Sequence, residues 1–210
     1  MKQMGVGSKG GVEPMVRAIQ RATDLNLPIN YEYLHTLDFS NAFHKASRPD
    51  AAAALRRHGP ELFQTAAFVY SQPTSIVVVD SVDVYRISSA SGFRQGDPLS
   101  PLLFSLSIRQ TLEDLQRTLE GHSDFLLLSH LDDIAILSND PDTTRIVQDF
   151  LDSFSSPLFL NLSKSITTSF DDIRANGIEV LGTAVGSTEF KRTLLQKKIE
   201  EQENVINQLP

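Results

Sequence analysis

Cysteine is absent from all 210 residues. Its absence excludes disulfides, thiolate zinc sites and cysteine nucleophiles, and fits a reducing compartment. Long hydrophobic runs are missing too. None approaches the roughly 18 apolar residues of a membrane span, and no charged-then-apolar leader opens the chain. An intracellular chain, nuclear or cytoplasmic and without a membrane partner, is therefore expected. Positive charge is scarce as well: the formal net charge is −7. Residues 1–70 carry eight Lys or Arg against six Asp or Glu, residues 71–190 seven against seventeen, and residues 191–210 four against three. A nucleic-acid enzyme normally carries a basic footprint, so any such reading has to account for an acidic centre.

What is present is enough to fold. Hydrophobic residues make up 40% of the chain, which sets it apart from disordered sequences. Its length suffices for one large domain or two small ones. No internal repeat is visible. Four of the eleven glycines (Gly5, Gly7, Gly10 and Gly11) fall within residues 1–12 and mark a loop. From Val12 the spacing of Met15, Val16, Ile19 and Ala22 predicts an amphipathic helix, with Pro14 tolerated in its first turn and a break at 26–30 around Pro28. Residues 31–37 read as a strand that delivers Asp38. Two helices follow, 48–58 and 61–70, then a hairpin of β-branched runs, 75–79 and 84–87. A polar loop, 88–98, leads into one long helix, 99–119. Apolar runs at 125–128 and 134–137 predict two strands. Beyond them come a helix at 142–154, with Phe154 closing its apolar stripe, short strands at 158–162 and 165–170, a β pair at 177–185, and a polar helix from 188. This order is α+β. It is compatible with a split βαβ (ferredoxin-like) antiparallel sheet, helices on one face and an acidic rim on the other.

Three groups of residues can carry chemistry. The first is Asp38 with Asp132 and Asp133. Two adjacent acids at a tight reversal repel each other, and folding does not require them. If the strand ending at Asp38 neighbours the hairpin, three carboxylates converge. That hard-oxygen set suits Mg2+ or Mn2+ better than zinc, and two such ions can serve phosphoryl transfer. The competing account is that all three are ordinary turn and cap residues, since aspartate is common in turns. The second group is Ser91-Gly-Phe-Arg-Gln-Gly-Asp-Pro-Leu-Ser-Pro101. Glycines let backbone approach a ligand, and Arg94 can meet a phosphate. Asp97 as a cap and Pro98 at the first helical position explain only the end of that stretch. The third is Lys164, which beside an acidic site can meet a phosphate or donate a proton and is otherwise a surface lysine.

Taken together, these segments resemble the palm of the reverse transcriptases (RNA-directed DNA polymerases), most closely those of non-LTR retrotransposons. Thr36-Leu-Asp-Phe-Ser-Asn-Ala-Phe43 is similar to the first catalytic motif, and Gly92–Pro101 to the Gln-Gly…Ser-Pro motif. His130-Leu-Asp-Asp133 resembles the aromatic-x-Asp-Asp box, Leu160-Asn-Leu-Ser-Lys164 the Asn-x-x-Lys motif, and Val180-Leu-Gly182 the primer grip. The five occur in order over about residues 34–186. The resemblance implies a palm over 31–186, a partial fingers remnant over 1–30 and, over 187–210, a polar helical tail that starts a missing thumb. The chain is thus expected to be a fragment, whose absent basic subdomains account for the acidic balance.

The resemblance also implies roles. Asp38 and Asp132 would hold two Mg2+ or Mn2+ ions, with the Phe39 carbonyl nearby and Asp133 in support. Phe43 would lie under the incoming sugar and leave no room for a 2′-hydroxyl, which favours dNTP over ribonucleotides. Gln95 and Gly96 would line the nucleotide and template side, Arg94 would contact phosphate, and Lys164 would face the triphosphate. The implied partners are an RNA template, a DNA primer and a dNTP. His130 departs from the usual Tyr or Phe and brings a titratable ring to the primer end. Two rival readings stand at this level. One is a truncated or decayed element copy that catalyses nothing. The other is an unrelated metal-dependent phosphohydrolase, which needs only the acids and leaves Phe43 and Gln95-Gly96 unexplained.

Overall fold

The computed structural model describes residues 2–6, 10–23, 31–80, 82–153 and 158–208. The expected break around Pro28, the loop glycine Gly7 and the helical Phe154 lie outside them. In chain order the elements are β1 (Lys2–Gln3), α1 (Val12–Ala22), β2 (Tyr33–Leu37), α2 (Ala42–Lys45), α3 (Arg48–His58), a 3₁₀ turn (Pro60–Leu62), α4 (Phe63–Tyr70), β3 (Thr74–Val79), β4 (Val84–Ser89), α5 (Ser100–Ser107), α6 (Arg109–Glu120), β5 (Phe125–His130), β6 (Asp133–Ser138), α7 (Thr143–Ser153), β7 (Ile166–Ser169), α8 (Phe170–Asn176), β8 (Ile178–Val180), β9 (Thr183–Val185) and α9 (Thr188–Asn207).

Five strands form one sheet in the order β1-β5-β6-β2-β7. Antiparallel ladders join β5 to β6, β6 to β2 and β2 to β7, while β1 runs parallel to β5. So β2 and β5 point the same way with β6 between them, the split βαβ arrangement that the element order suggests. β6 is buried from Ile134 through Ser138. Such a strand reads as an unbroken apolar run because both its faces are covered.

Alternation along the strands sorts the core into two layers. Leu37, Leu127, Ile134 and Ile136 pack with Leu55 of α3, Phe104 of α5, Leu115 of α6 and Val147 of α7. Leu34, Leu128, Ala135 and Leu137 face the other way, onto Met15 and Ile19 of α1 and Phe170 and Ile173 of α8. The larger helical layer therefore lies on one face as expected, and α1 and α8 close the second. No helix of the described residues is long and apolar enough to cross a membrane.

Local chemistry sets the boundaries. α3 starts where the Ser47 hydroxyl accepts the Asp50 N–H, with Pro49 in its first turn and Arg56, Arg57 and His58 in its last. The stretch 99–119, expected as one helix, is two helices meeting at the buried Ile108. There the Ser107 hydroxyl donates back to the Phe104 carbonyl at 2.7 Å, a bond that bends helices. Asp97 does not cap the helix directly. Its Oδ1 accepts the Leu99 N–H at 2.9 Å, and α5 begins at Ser100 with Pro101 in its first turn. The expected strand at 158–162 reduces to one antiparallel bridge, Phe39 to Leu160, followed by a turn. Strand β7 stops at Ser169 because that hydroxyl accepts the Asp172 N–H and opens α8. The hairpin β3–β4 pairs only with itself, and Ile76, Val78, Tyr85 and Ile87 on one of its faces are all exposed.

Candidate active site

The site begins at the turn between β5 and β6. His130 pairs with Asp133, so Leu131 and Asp132 alone span the reversal. Leu131 sits at φ 57°, left-handed backbone that a leucine rarely adopts. This confines Asp132 to the tip and places Asp133 at the first position of β6. The β2–β6 ladder ends at Leu37 opposite Ile134. Continuing that register by one residue sets Asp38 across from Asp133, a separation of about 5 Å between Cβ atoms in a regular antiparallel pair. Phe39 bridges Leu160 with the flanking bonds made by its neighbours: Ser40 N–H to the Phe159 carbonyl at 2.9 Å and Asn161 N–H to the Asp38 carbonyl at 2.8 Å. Antiparallel alternation then turns the backbone polar groups of Phe39 away from Leu160, toward the acid side.

Asp133 feels the other two carboxylates. Partial desolvation and then the negative charge of Asp132 raise the Asp133 pKa above the ordinary carboxylate value; Asp38 adds to this and His130 opposes it. Among the described residues, no Lys, Arg or His forms a salt bridge with any of the three. Nor do three or more His, Asp or Glu side chains among those residues stand close enough to hold a metal ion. The donor chemistry, carboxylate and carbonyl oxygen only, fits a hard divalent cation. A cation there would offset the charge that desolvation and Asp132 disfavour at Asp133.

Asp38 is held from its other side by residues 161–165. Its N–H donates to the Ser165 hydroxyl at 3.1 Å, and that hydroxyl donates to the Asn161 carbonyl at 2.9 Å. Lys164 lies in the same turn, its N–H on the Asn161 carbonyl at 3.1 Å, its side chain exposed. The sequence motif puts Lys164 near the acids, whereas Ser165, a serine next to a lysine, carries no signal of its own.

Phe43 is half-buried and stacks on the buried Phe104, ring centroids 4.2 Å and planes 11° apart. The loop at 91–97 rests against it: Phe93 N–H donates to the Phe43 carbonyl at 2.9 Å. Gly92 has φ 64°, and a Cβ there would overlap the carbonyls of Phe43 and His44, so the close approach needs glycine. Arg48, which the sequence did not single out, ties this loop down. Its guanidinium donates to the carbonyls of Gly92, Ser91, Ser89 and Tyr70 at 2.8, 3.2, 3.3 and 3.5 Å. Arg94 reaches the Val69 carbonyl and the Thr74 hydroxyl at 3.4 and 3.1 Å and lies over the Tyr70 ring. Its charge is thereby held against the fold. Gln95 and Gly96 are exposed at the tip of the loop.

Two histidines complete the surroundings. The ring of His130 lies under the glycine-rich segment, where a Cβ at Gly11 would overlap the Met4 carbonyl and come within 3.3 Å of His130 Nδ1. That nitrogen is buried and without a hydrogen-bond partner among the described residues. His35 is fully buried in the centre of the sheet, Nδ1 at 3.1 Å from the Thr144 hydroxyl and 3.0 Å from that of Thr167, Nε2 at 3.1 Å from that of Ser138. Burial, only partly offset by Asp140, lowers its pKa to about 4. Nothing in the sequence distinguishes it from a solvent-facing strand histidine.

Solved structures share this fold. Telomerase from Candida albicans, in complex with a TWJ fragment of telomeric RNA, superposes with a TM-score of 0.61 at 16% identity over 85% of this chain and 34% of that one. Apo telomerase from Candida tropicalis, truncated from the C-terminal domain, does so at 0.60 and 16% identity over 90% of this chain and 41% of that one. The chain thus spans well under half the length of either. At the level of sequence, residues 3–185 match the family described as reverse transcriptase (RNA-dependent DNA polymerase). That match takes in all three carboxylates, Phe43, the 91–97 loop and Lys164, and the chain belongs to this family of nucleotidyltransferases.

Proposed function

We propose that the chain is the catalytic palm of a non-LTR retroelement reverse transcriptase, over residues 31–186, with part of the fingers before it and the start of a thumb after it. The reaction is extension of a DNA primer along an RNA template. The primer 3′-oxygen forms a bond to the α-phosphorus of a dNTP, the bond from that phosphorus to the bridging oxygen breaks, pyrophosphate leaves, and the 3′-hydroxyl gives up its proton. The observation that carries this reading is the β2–β6 ladder, whose last pair, Leu37 with Ile134, leaves Asp38 and Asp133 as the next residues at the same end of the sheet, beside the turn that bears Asp132.

Asp38 and Asp132, with Asp133 and the Phe39 carbonyl, would hold two Mg2+ or Mn2+ ions. When bound, such ions supply positive charge against the triphosphate and lower the pKa of the attacking hydroxyl. The remaining work is positioning. Phe43, its ring fixed by Phe104, excludes a sugar 2′-hydroxyl. Gln95 and Gly96, exposed on a loop that Arg48 holds in place, line the nucleotide and template side. Lys164 approaches the triphosphate from a turn bonded to Asp38. Arg94, engaged with Val69 and Thr74, reaches a phosphate only by exchanging those partners.

Primer extension on poly(rA)/oligo(dT) with Mg2+ or Mn2+ tests the proposal. Extension by this chain alone is expected to be weak at most, and Asp132→Ala abolishes whatever is seen. Phe43→Ala admits ribonucleotides; unchanged dNTP selectivity in that variant would remove the steric role of the ring. No extension at high protein concentration overturns the assignment of activity to this chain and favours the inactive-fragment reading.

A further inference from the structure

We infer that Ser165 is a positioning residue for Asp38, its hydroxyl replacing a backbone partner that a slip between neighbouring strands removes. The inference rests on the proposed role of Asp38 in holding a divalent cation. The β2–β7 ladder is regular from Tyr33 opposite Ser169 to Thr36 opposite Ile166. The next pairing is Phe39 opposite Leu160. Between the two, Leu37 and Asp38 on one strand face residues 161–165 on the other, two against five. The surplus is looped out, as in an enlarged bulge.

The Asp38 carbonyl still finds backbone, the Asn161 N–H at 2.8 Å. Its N–H takes the Ser165 hydroxyl at 3.1 Å instead of a carbonyl, and that hydroxyl passes the bond on to the Asn161 carbonyl at 2.9 Å. The three bonds close a ring around the Asp38 peptide groups. A backbone N–H in a half-buried position needs such a partner, and without the hydroxyl the peptide on the N-terminal side of Asp38 is held from the β6 side alone, where Leu37 pairs with Ile134. The carboxylate direction follows that peptide. The ring also fixes the turn that carries Lys164, so the two contacts expected to meet the nucleotide from this side share one anchor. Partners that orient metal-holding side chains typically change metal affinity by about 10–100-fold when removed.

Mn2+ binding to the full chain, read by electron paramagnetic resonance alongside the urea unfolding midpoint, tests the inference. Ser165→Thr and Ser165→Val are both β-branched at a strand edge and differ only in the hydroxyl. The threonine variant is expected to bind Mn2+ within about twofold of the wild type. The valine variant should bind at least about tenfold more weakly, with an unfolding midpoint close to that of the threonine variant. Equal affinity in the two variants overturns the inference. Amide exchange at Asp38 gives a second measure: protection equal to the wild type in Ser165→Ala also overturns it. If Asp38→Ala leaves Mn2+ binding untouched, the assignment of the metal site itself is wrong, an outcome separate from either of these.

Discussion

At Asp133 ionisation works against the fold. Its pKa is raised, by partial desolvation first and by Asp132 next. Below the ordinary aspartate range, near 3.9, it is protonated in both folded and unfolded chains and carries no penalty. As pH rises through the folded-state value the charged form is disfavoured, and the loss is complete at neutral pH. Asp133→Asn is therefore expected to raise the metal-free melting temperature at pH 7, with the gain shrinking as pH falls toward 4; an unchanged melting temperature would mean that neither desolvation nor the neighbouring carboxylates disfavour the charge at Asp133. His35 behaves differently. Its folded-state pKa of about 4 lies below the ordinary 6.5, so the unfolded chain takes up the proton first. Stability is full above about 6.5 and falls as pH drops toward 4, by roughly 3 kcal/mol for a shift of this size. Urea titrations between pH 4 and 7 should show this slope, and His35→Gln, which keeps a donor and an acceptor but does not ionise, should flatten it. The acids were legible in the sequence because two adjacent carboxylates in a turn stand out. His35 and Ser165 were not, because their roles depend on which strands become neighbours.

Among elements, α1 was legible from its apolar period, β5 and β6 from their apolar runs, α3 from its helix-forming alanines and α9 as a polar helix. Errors concentrate where side-chain hydrogen bonds decide. Ser107 breaks the 99–119 helix, and Ser169 ends β7 and starts α8. β1 and α2 are too short, at two and four residues, to show any period. The loop at 91–97 is an intermediate case. Its glycines announced a close approach, but to a ligand; Gly92 instead lets the loop meet the backbone of α2. Gly92→Ala combines a left-handed backbone with overlap onto two carbonyls, and is expected to cost on the order of 3 kcal/mol in urea unfolding. A loss below about 1 kcal/mol would show that the loop can shift away from Phe43.

Across the whole molecule, the sheet does what no single motif can. Asp38, the hairpin acids and Lys164 come from three separated segments, and the strand order β5-β6-β2-β7 is what gathers them at one end. The hairpin β3–β4 stands apart from this economy. It shares no ladder with the five-stranded sheet, and its tip lies beyond the last pair, Val79 with Val84. Chain length can therefore vary at that tip without altering the register that aligns Asp38. It offers an attachment point for a fluorophore or an epitope outside the sheet that carries the three carboxylates.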